Sequence, residues 1–118
     1  MPIGEFCNRS VVFATRKMSI SEAAQLMREY HVGDLVVVDV LDGKRMPVGI
    51  VTDRDIVIEI VAKSLDYNAF TVGDIMSPQL ISVQKSDGVF ETIRLMRDQG
   101  IRRIPVVNQE GGLEGIMA

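Results

Sequence analysis

The chain repeats its own pattern at a constant offset of 69 positions, the distance from Ile3 to Val72. The matching runs are Ile3-Gly4 with Val72-Gly73, Leu26-Met27-Arg28 with Leu95-Met96-Arg97, and Val37-Val38-Asp39 with Val106-Val107-Asn108. Such a repeat predicts two copies of one supersecondary unit that bury their apolar faces against each other. Any ligand pocket between the copies should therefore have a counterpart related by the same repeat.

The composition is that of a globular domain. The 118 residues are 47% hydrophobic and 25% charged, which argues against disorder and provides enough apolar surface for a core. The net charge is −3 and the basic residues are not clustered, so we expect no binding to nucleic acid. No apolar run reaches the roughly 18 residues that a membrane span requires.

Cysteine and histidine usage restricts the chemistry further. Cys7 is the only cysteine, so an intrachain disulfide is excluded. With no visible signal peptide, this favours a reducing, cytoplasmic location. The lone His31 and Cys7 cannot supply a structural zinc site, and no catalytic triad or Walker loop is visible. We therefore expect neither an enzyme nor a required metal or cofactor.

Each repeat is predicted to fold as strand, helix, strand, strand and helix, an α/β (α+β) arrangement. Ser19 and Glu22 fit a capping box at the start of the first helix, and Gly88 replaces Ser19 in the second repeat. The helical spacing predicts two equivalent buried faces, formed by Ile20, Ala24 and Met27 and by Val89, Ile93 and Met96. The unbroken apolar runs 35–38 and 104–107 predict strands that are covered on both faces.

The second repeat is shorter than the first. Repeat one is assigned to residues 1–70, with its core at 10–64 and its second helix at 53–64, and repeat two to residues 71–118. The chain ends at Ala118, where the last helix of repeat two should begin. We therefore expect an incomplete second repeat that belongs to a longer chain.

Residues 49–55 form the motif with the clearest chemistry. This Gly-Ile-Val-Thr-Asp-Arg-Asp run leads from a strand end directly into a helix. Thr52 is placed as the N-cap, and the helix start should offer free backbone N–H groups that attract phosphate. Asp55 is placed to accept both hydroxyls of a ribose. The alternative is purely structural, because Thr-x-x-Asp is also a capping box.

The two repeats carry opposite charges ahead of their central strands. Arg102-Arg103 can hold phosphates or can form a solvated loop pair, whereas the corresponding residues of repeat one are Gly33-Asp34. Cys7 takes the position of Met76, which predicts a small apolar role for this cysteine. Asp55 and Glu59 are four residues apart and favour a solvated helix face over a carboxylate pair.

The doubled order of these segments resembles a tandem pair of cystathionine β-synthase (CBS) domains, also called a Bateman module. The matching segments are residues 22–27, 35–39 and 49–55 in repeat one and 74–77, 104–107 and 115–116 in repeat two. The resemblance implies a stand-alone CBS-domain protein in which two repeats pack sheet to sheet with pseudo-two-fold symmetry. It also implies a cleft between the repeats that binds AMP, ADP, ATP or S-adenosylmethionine.

The resemblance further implies two unequal nucleotide sites. In the first, Thr52 contacts phosphate and Asp55 holds the ribose, and the remaining site residues are Gly49, Asp34, Met76, Leu80, Ile81 and Ile101. The second is expected to comprise Arg102, Arg103, Cys7, Val11, Val12, Val32 and Ala118. Ala118 stands in the place of Thr52 and has no hydroxyl, and Asp34 is expected to repel phosphate in the first site.

The function expected from this resemblance is a non-catalytic sensor of an adenosine-containing ligand. Ligand binding would shift the packing of the repeats of a homodimer and thereby signal to a partner. One alternative is an oligomerisation or docking module without a ligand. Another is a regulatory fragment of a larger enzyme or transporter.

Overall fold

The computed structural model describes residues 1–9, 11–78 and 81–118. The helices are α1 (Ile20–Tyr30), α2 (Asp53–Ile56), α3 (Val72–Ile75) and α4 (Val89–Gln99). The strands are β1 (Phe13–Ala14), β2 (Asp34–Leu41), β3 (Lys44–Thr52), β4 (Ser77–Pro78), β5 (Val83–Gln84), β6 (Ile104–Val107) and β7 (Leu113–Met117). They form one sheet of order β1-β2-β3-β4 and another of order β5-β6-β7. The predicted α+β class is confirmed.

The two sheets share one pairing scheme. Strand β1 runs parallel to β2 with Phe13 opposite Val36, and β5 runs parallel to β6 with Val83 opposite Val106. Every side chain from Leu35 to Val38 in β2 is buried, and so is every residue of β6. These unbroken apolar runs are covered on both faces, as their lack of alternation predicts.

The helix α1 begins where the sequence predicts, but the buried faces of α1 and α4 are rotated from the predicted ones. The Ser19 hydroxyl accepts a hydrogen bond from Glu22 N at 3.0 Å. The core-facing positions are Ile20, Ala23 and Met27 in α1, and Thr92 and Met96 in α4. The prediction was therefore wrong for Ala24, which is exposed, and for Ile93, which is 45% exposed. Small side chains at 23 and 92 let each helix pack closely, and the buried Thr92 hydroxyl donates to Gly88 O at 2.8 Å.

The predicted helix over residues 53–64 consists of an α-helical part followed by a π-helical part. The four α-helical residues of α2 are followed by π-helical turns at Val57–Val61. Ala62 N donates to Val57 O at 2.7 Å, a spacing of five residues that defines the π geometry. Only Ile60 is buried in these turns, whereas Val57 and Val61 are 54% and 64% exposed.

The compact units of the structure do not coincide with the sequence repeats. The first, termed the α1 unit, consists of Val12–Asp39 and Val48–Gln79. The second, termed the α4 unit, consists of Met1–Val11, Val40–Pro47 and Leu80–Ala118. Each unit therefore contains the opening segment of the repeat that supplies most of the other unit.

In the α4 unit, the opening segment of repeat one is fixed by backbone hydrogen bonds. Ile3 N donates to Asp87 O at 2.6 Å, and Gly4 N donates to Lys85 O at 2.9 Å. Ile3 is fully buried within an apolar cluster that also contains Val83 and Ile104. The opening segment is therefore part of the α4 core.

In the α1 unit, the opening segment of repeat two makes the equivalent contacts. Val72 N donates to Met18 O and Gly73 N donates to Arg16 O, both at 2.9 Å. Val72 is fully buried and belongs to the cluster around Leu35. The donors of the two bonds in one unit lie 69 positions from those in the other unit, and so do the acceptors. The duplication therefore includes the segment that completes each core.

The tip of the β2–β3 hairpin belongs to the α4 unit. The turn residues Asp42 and Gly43 have φ values of 51° and 76°, a left-handed conformation that aspartate and glycine tolerate in turns. The Lys44 ammonium lies 2.5 Å from Oε2 of Glu110. This hydrogen bond and the charge of Lys44 lower the pKa of the Glu110 carboxyl.

Replacing Ser19 with alanine should destabilise the protein by about 1 kcal/mol, because Glu22 N would lose its capping acceptor. The midpoint of urea unfolding measures this change. Ser86→Ala, an exposed loop substitution, is the control and should leave the midpoint within about 0.5 kcal/mol of the wild-type value. Equal effects of the two substitutions would contradict the capping role.

Candidate functional site

The end of strand β3 presents the two side chains that the sequence motif singles out. Thr52 is the N-cap of α2, and its hydroxyl oxygen accepts from Asp55 N at 3.0 Å. The Asp55 carboxylate returns the interaction by accepting from Thr52 N at 2.9 Å. The structural interpretation of Thr-x-x-Asp as a capping box is therefore confirmed. The box holds both polar groups, which are half-buried, in fixed positions.

The first backbone N–H groups of α2 all have protein acceptors. Besides the two bonds of the capping box, Asp53 N donates to Gly33 O at 2.9 Å and Arg54 N donates to Asp53 Oδ1 at 2.8 Å. The expectation that this helix start offers free N–H groups to a phosphate is therefore wrong. Two aspartates occupy donors that a phosphate would otherwise use.

Gly49 allows the opening segment of repeat two to approach the site. A Cβ atom at this position would lie 2.7 Å from Sδ of Met76 and 2.8 Å from the carbonyl oxygen of Ser77. At the equivalent position, a Cβ atom on Gly115 would lie 2.6 Å from Sγ of Cys7. The predicted equivalence of Cys7 and Met76 is thus present in space.

The residues at the start of β2 follow a loop that contacts the start of α2. Asp34, the first residue of β2, is half-buried. Its neighbour Gly33 lies against Asp53, whose Oδ2 would be 3.1 Å from a Cβ atom at position 33. Asp53 is not among the residues that the sequence predicts for the site. No local pattern links residue 53 to residue 33, since the pair is formed only when β3 lies beside β2.

Five of the predicted first-site residues lie together in the α1 unit. These are Asp34, Gly49, Thr52, Asp55 and Met76. Ile81 and Ile101 lie in the α4 unit, where they pack on the Ile3 cluster, and Leu80 lies outside the described residues. The assignment of Ile81, Ile101 and Leu80 to this site remains a prediction.

The residues predicted for the second site are also divided between the units. Cys7, Val11, Arg102, Arg103 and Ala118 belong to the α4 unit, and Val12 and Val32 belong to the α1 unit. Val12 and Val32 pack on the core around Leu35 and Met27. Arg102 and Ala118 are exposed, and Arg103 is half-buried. The shared role of these residues in a ligand site stays a prediction.

The chain contains a second Thr-x-x-Asp motif outside the predicted sites. The Asp74 carboxylate accepts from Thr71 N at 2.8 Å at the start of α3. This geometry matches the bond between Asp55 and Thr52. The motif therefore occurs twice with the same capping bond, and Asp74 offers a matched control for Asp55.

Metal chemistry and membrane insertion find no support within the described part of the chain. In residues 1–9, 11–78 and 81–118, no three His, Cys, Asp or Glu side chains are grouped in a way that would hold a metal ion. None of the helices described there has the length and apolar character needed to span a membrane.

Both repeats match one known domain family. A model of the CBS domain matches residues 3–62 and again residues 72–117. The chain belongs to the CBS domain family. An uncharacterized protein of Methanopyrus kandleri is 37% identical over 115 residues, which cover 98% of this chain and 57% of that protein. This CBS chain thus spans little more than half of that relative.

Solved CBS structures share the fold. A CBS domain protein from Pyrobaculum aerophilum complexed with AMP is 30% identical, with a TM-score of 0.85 over 100% of this chain and 87% of that one. The protein CBSX2 in complex with AMP is 26% identical, with a TM-score of 0.79 over 99% and 90% of the two chains. AMP is therefore bound in the solved structures of two relatives of this CBS chain.

Thr52→Val should destabilise the protein by about 1 kcal/mol, since the half-buried Asp55 N–H would lose its acceptor. Thr52→Ser keeps the hydroxyl and should remain close to wild type. Urea unfolding of the three proteins provides the comparison. A valine variant as stable as the serine variant would show that the capping bond contributes nothing.

Proposed function

We propose that this CBS chain is a non-catalytic regulatory module that binds an adenosine-containing ligand through Thr52 and Asp55. The candidate ligands are AMP, ADP, ATP and S-adenosylmethionine. Binding would shift the conformation of the module and so change its interaction with a partner. The observation that carries the proposal is the capping box, because it fixes a hydroxyl and a carboxylate side by side at the end of β3.

The capping box leaves each group with capacity for a ligand. The Thr52 hydroxyl uses its oxygen to accept from Asp55 N, so its hydrogen is available to donate to a phosphate oxygen. The Asp55 carboxylate accepts from Thr52 N through Oδ2 and has further lone pairs for ribose hydroxyls. Both groups are held in place by the fold, which lowers the entropic cost of binding.

Two further observations support this role. The P. aerophilum relative, whose fold matches over the whole of this chain, is complexed with AMP. The opening segment of repeat two places Met76 beside Gly49, which gives the polar pair an apolar neighbour. A small apolar surface with few fixed polar groups is typical of ligand sites.

Asp55→Asn should reduce AMP affinity at least about tenfold, because an amide replaces the charged acceptor of the ribose hydroxyls. Isothermal titration calorimetry measures this loss. Asp74→Asn alters the same type of capping bond in α3 and should leave AMP affinity unchanged. If both variants lost AMP affinity equally, the loss would come from the weakened capping bond and not from a contact between Asp55 and the ligand.

We also propose that the module is a homodimer. Three apolar side chains in the π-helical turns, Val57, Ile58 and Val61, are 54%, 41% and 64% exposed. Adjacent exposed apolar side chains of this kind mark interaction surfaces. A second copy of the chain would present the same turns, so a two-fold axis would pair the apolar surfaces with each other.

Val61→Glu should shift the protein from dimer to monomer, since the pairing surfaces would acquire two like charges. Light scattering after size-exclusion chromatography measures the molar mass. Val40→Glu is the control, because Val40 is 61% exposed on the β2–β3 hairpin and should leave the mass unchanged. A monomeric wild type, or a dimer that survives Val61→Glu, would contradict the proposal.

A docking module without a ligand is the second candidate. It is favoured by the occupied N–H groups of α2, which leave few donors for an anion. The two candidates differ in thermal stability, because a ligand that binds the folded state raises the unfolding temperature. No shift with millimolar AMP, ADP, ATP or S-adenosylmethionine would favour the docking module.

Arg102 and Arg103 are proposed phosphate contacts of a second site, because guanidinium groups bind phosphate in a bidentate manner. The cytoplasmic location still rests on the use of a single cysteine.

A further inference from the structure

We infer that a cavity beside the π-helical turns binds a small organic cation with an apolar body. The cavity has a volume of about 420 Å³ and is lined by residues between Glu59 and Ile75. This volume is typical of pockets that bind small ligands. The lining residues belong to the α1 unit, and none of them is a residue of the proposed nucleotide sites. A ligand of this cavity would therefore be distinct from the proposed adenosine ligand.

Apolar side chains give the cavity a surface that suits an apolar ligand body. Ile60 is 2% exposed, and Phe70 and Ile75 are half-buried. Leu65, which also lines the cavity, is 41% exposed and therefore leaves apolar surface in contact with water. A ligand that covers this surface gains free energy from the hydrophobic effect.

The backbone fixes the position of two of these side chains. Leu65 N donates to Ile60 O and Ser64 N donates to Val61 O, both at 3.0 Å, which is the hydrogen-bond pattern of a Schellman motif. Ser64 accordingly has a left-handed φ of 54°, a conformation that costs free energy in residues other than glycine. The π-helical turns lead into this motif, and such turns are frequent at functional sites. An unfavourable but well-defined backbone thus holds Ile60 and Leu65 at the cavity.

Three charged side chains also line the cavity, namely Glu59, Lys63 and Asp74. The Lys63 ammonium lies 2.7 Å from Oε2 of Glu59, so a carboxylate already neutralises its charge. Asp74 accepts from the backbone N–H and the hydroxyl of Thr71, which are neutral donors and leave its charge in place. The lining therefore has an excess of negative charge.

The class of ligand follows from these groups. Glu59 and Asp74 make their bonds through Oε2 and Oδ2, so within the described residues one oxygen of each carboxylate is left to accept from an ammonium group. A hydrogen bond between an ammonium and a carboxylate is stronger than one between neutral groups. The apolar side chains would contact the body of the same ligand, whereas an anionic head group would be repelled.

Titrations followed by the amide NMR spectrum test this site with three compounds that share a phenethyl body. The compounds are phenethylammonium, the neutral phenethyl alcohol and the anionic hydrocinnamate. We expect phenethylammonium to give saturable shifts of the amide signals of residues 59–75. Hydrocinnamate should bind at least about threefold more weakly, the size of effect expected for partly exposed charges, with the alcohol in between.

Charge variants test the preference for a cation. Asp74→Asn and Glu59→Gln each remove one negative charge from the lining and should narrow the ratio of phenethylammonium to hydrocinnamate affinity by about twofold or more. Asp42→Asn is the matched control, because it removes one negative charge at an exposed turn whose φ of 51° suits asparagine. It should leave the ratio unchanged.

A size variant tests the cavity itself. Ala69 lines the cavity and is exposed, so Ala69→Leu would fill part of the space and should weaken phenethylammonium binding several-fold. Ala24→Leu is the matched control, since Ala24 is also an exposed alanine of the α1 unit, and should leave binding unchanged. The amide spectrum of each variant shows in the same experiment that the fold is retained.

Three results would overturn the assignment of this site. The first is the absence of saturable shifts at residues 59–75, and the second is hydrocinnamate binding as tightly as phenethylammonium. The third is an effect of Ala69→Leu no larger than that of Ala24→Leu. Titration of the same samples with AMP reports separately on the proposed nucleotide site, because Ala69→Leu should leave AMP affinity unchanged.

Discussion

The burial of Ile3 and Val72 is the constraint on which the rest of this structure depends. Each of these residues stands at the start of a repeat, and each is fully enclosed in the core of a unit built mainly from the other repeat. The adjacent backbone hydrogen bonds, from Ile3 to Asp87 and from Val72 to Met18, fix the position of the segments. Neither repeat can therefore complete a core from its own residues alone.

This exchange also builds the candidate site. Because strand β4 in the opening segment of repeat two pairs antiparallel with β3, Met76 lies beside Gly49, three residues before Thr52. The polar pair comes from repeat one and its apolar neighbour comes from repeat two. A mutation in the opening segment would therefore alter the surroundings of the proposed site without touching Thr52 or Asp55.

The capping box shows how one set of bonds limits both structure and chemistry. Thr52 and Asp55 stabilise the short helix α2, which has only four α-helical residues before the π-helical turns. The same bonds, together with those of Asp53 and Gly33, occupy the backbone donors. The stability of this helix start therefore comes from bonds that leave its first backbone N–H groups already paired within the protein.

The sequence by itself determined the elements, because strands, helix starts and turns depend on local periodicity and capping. It predicted the runs of β2 and β6, the Ser19 cap and the equivalence of Cys7 and Met76. It assigned Ala24 and Ile93 to the core wrongly, since helical spacing alone cannot fix the rotation of a helix to within one residue. Only the tertiary structure decided which segment completes which core and that Asp53 lies over Gly33, because both depend on contacts between residues far apart in the chain.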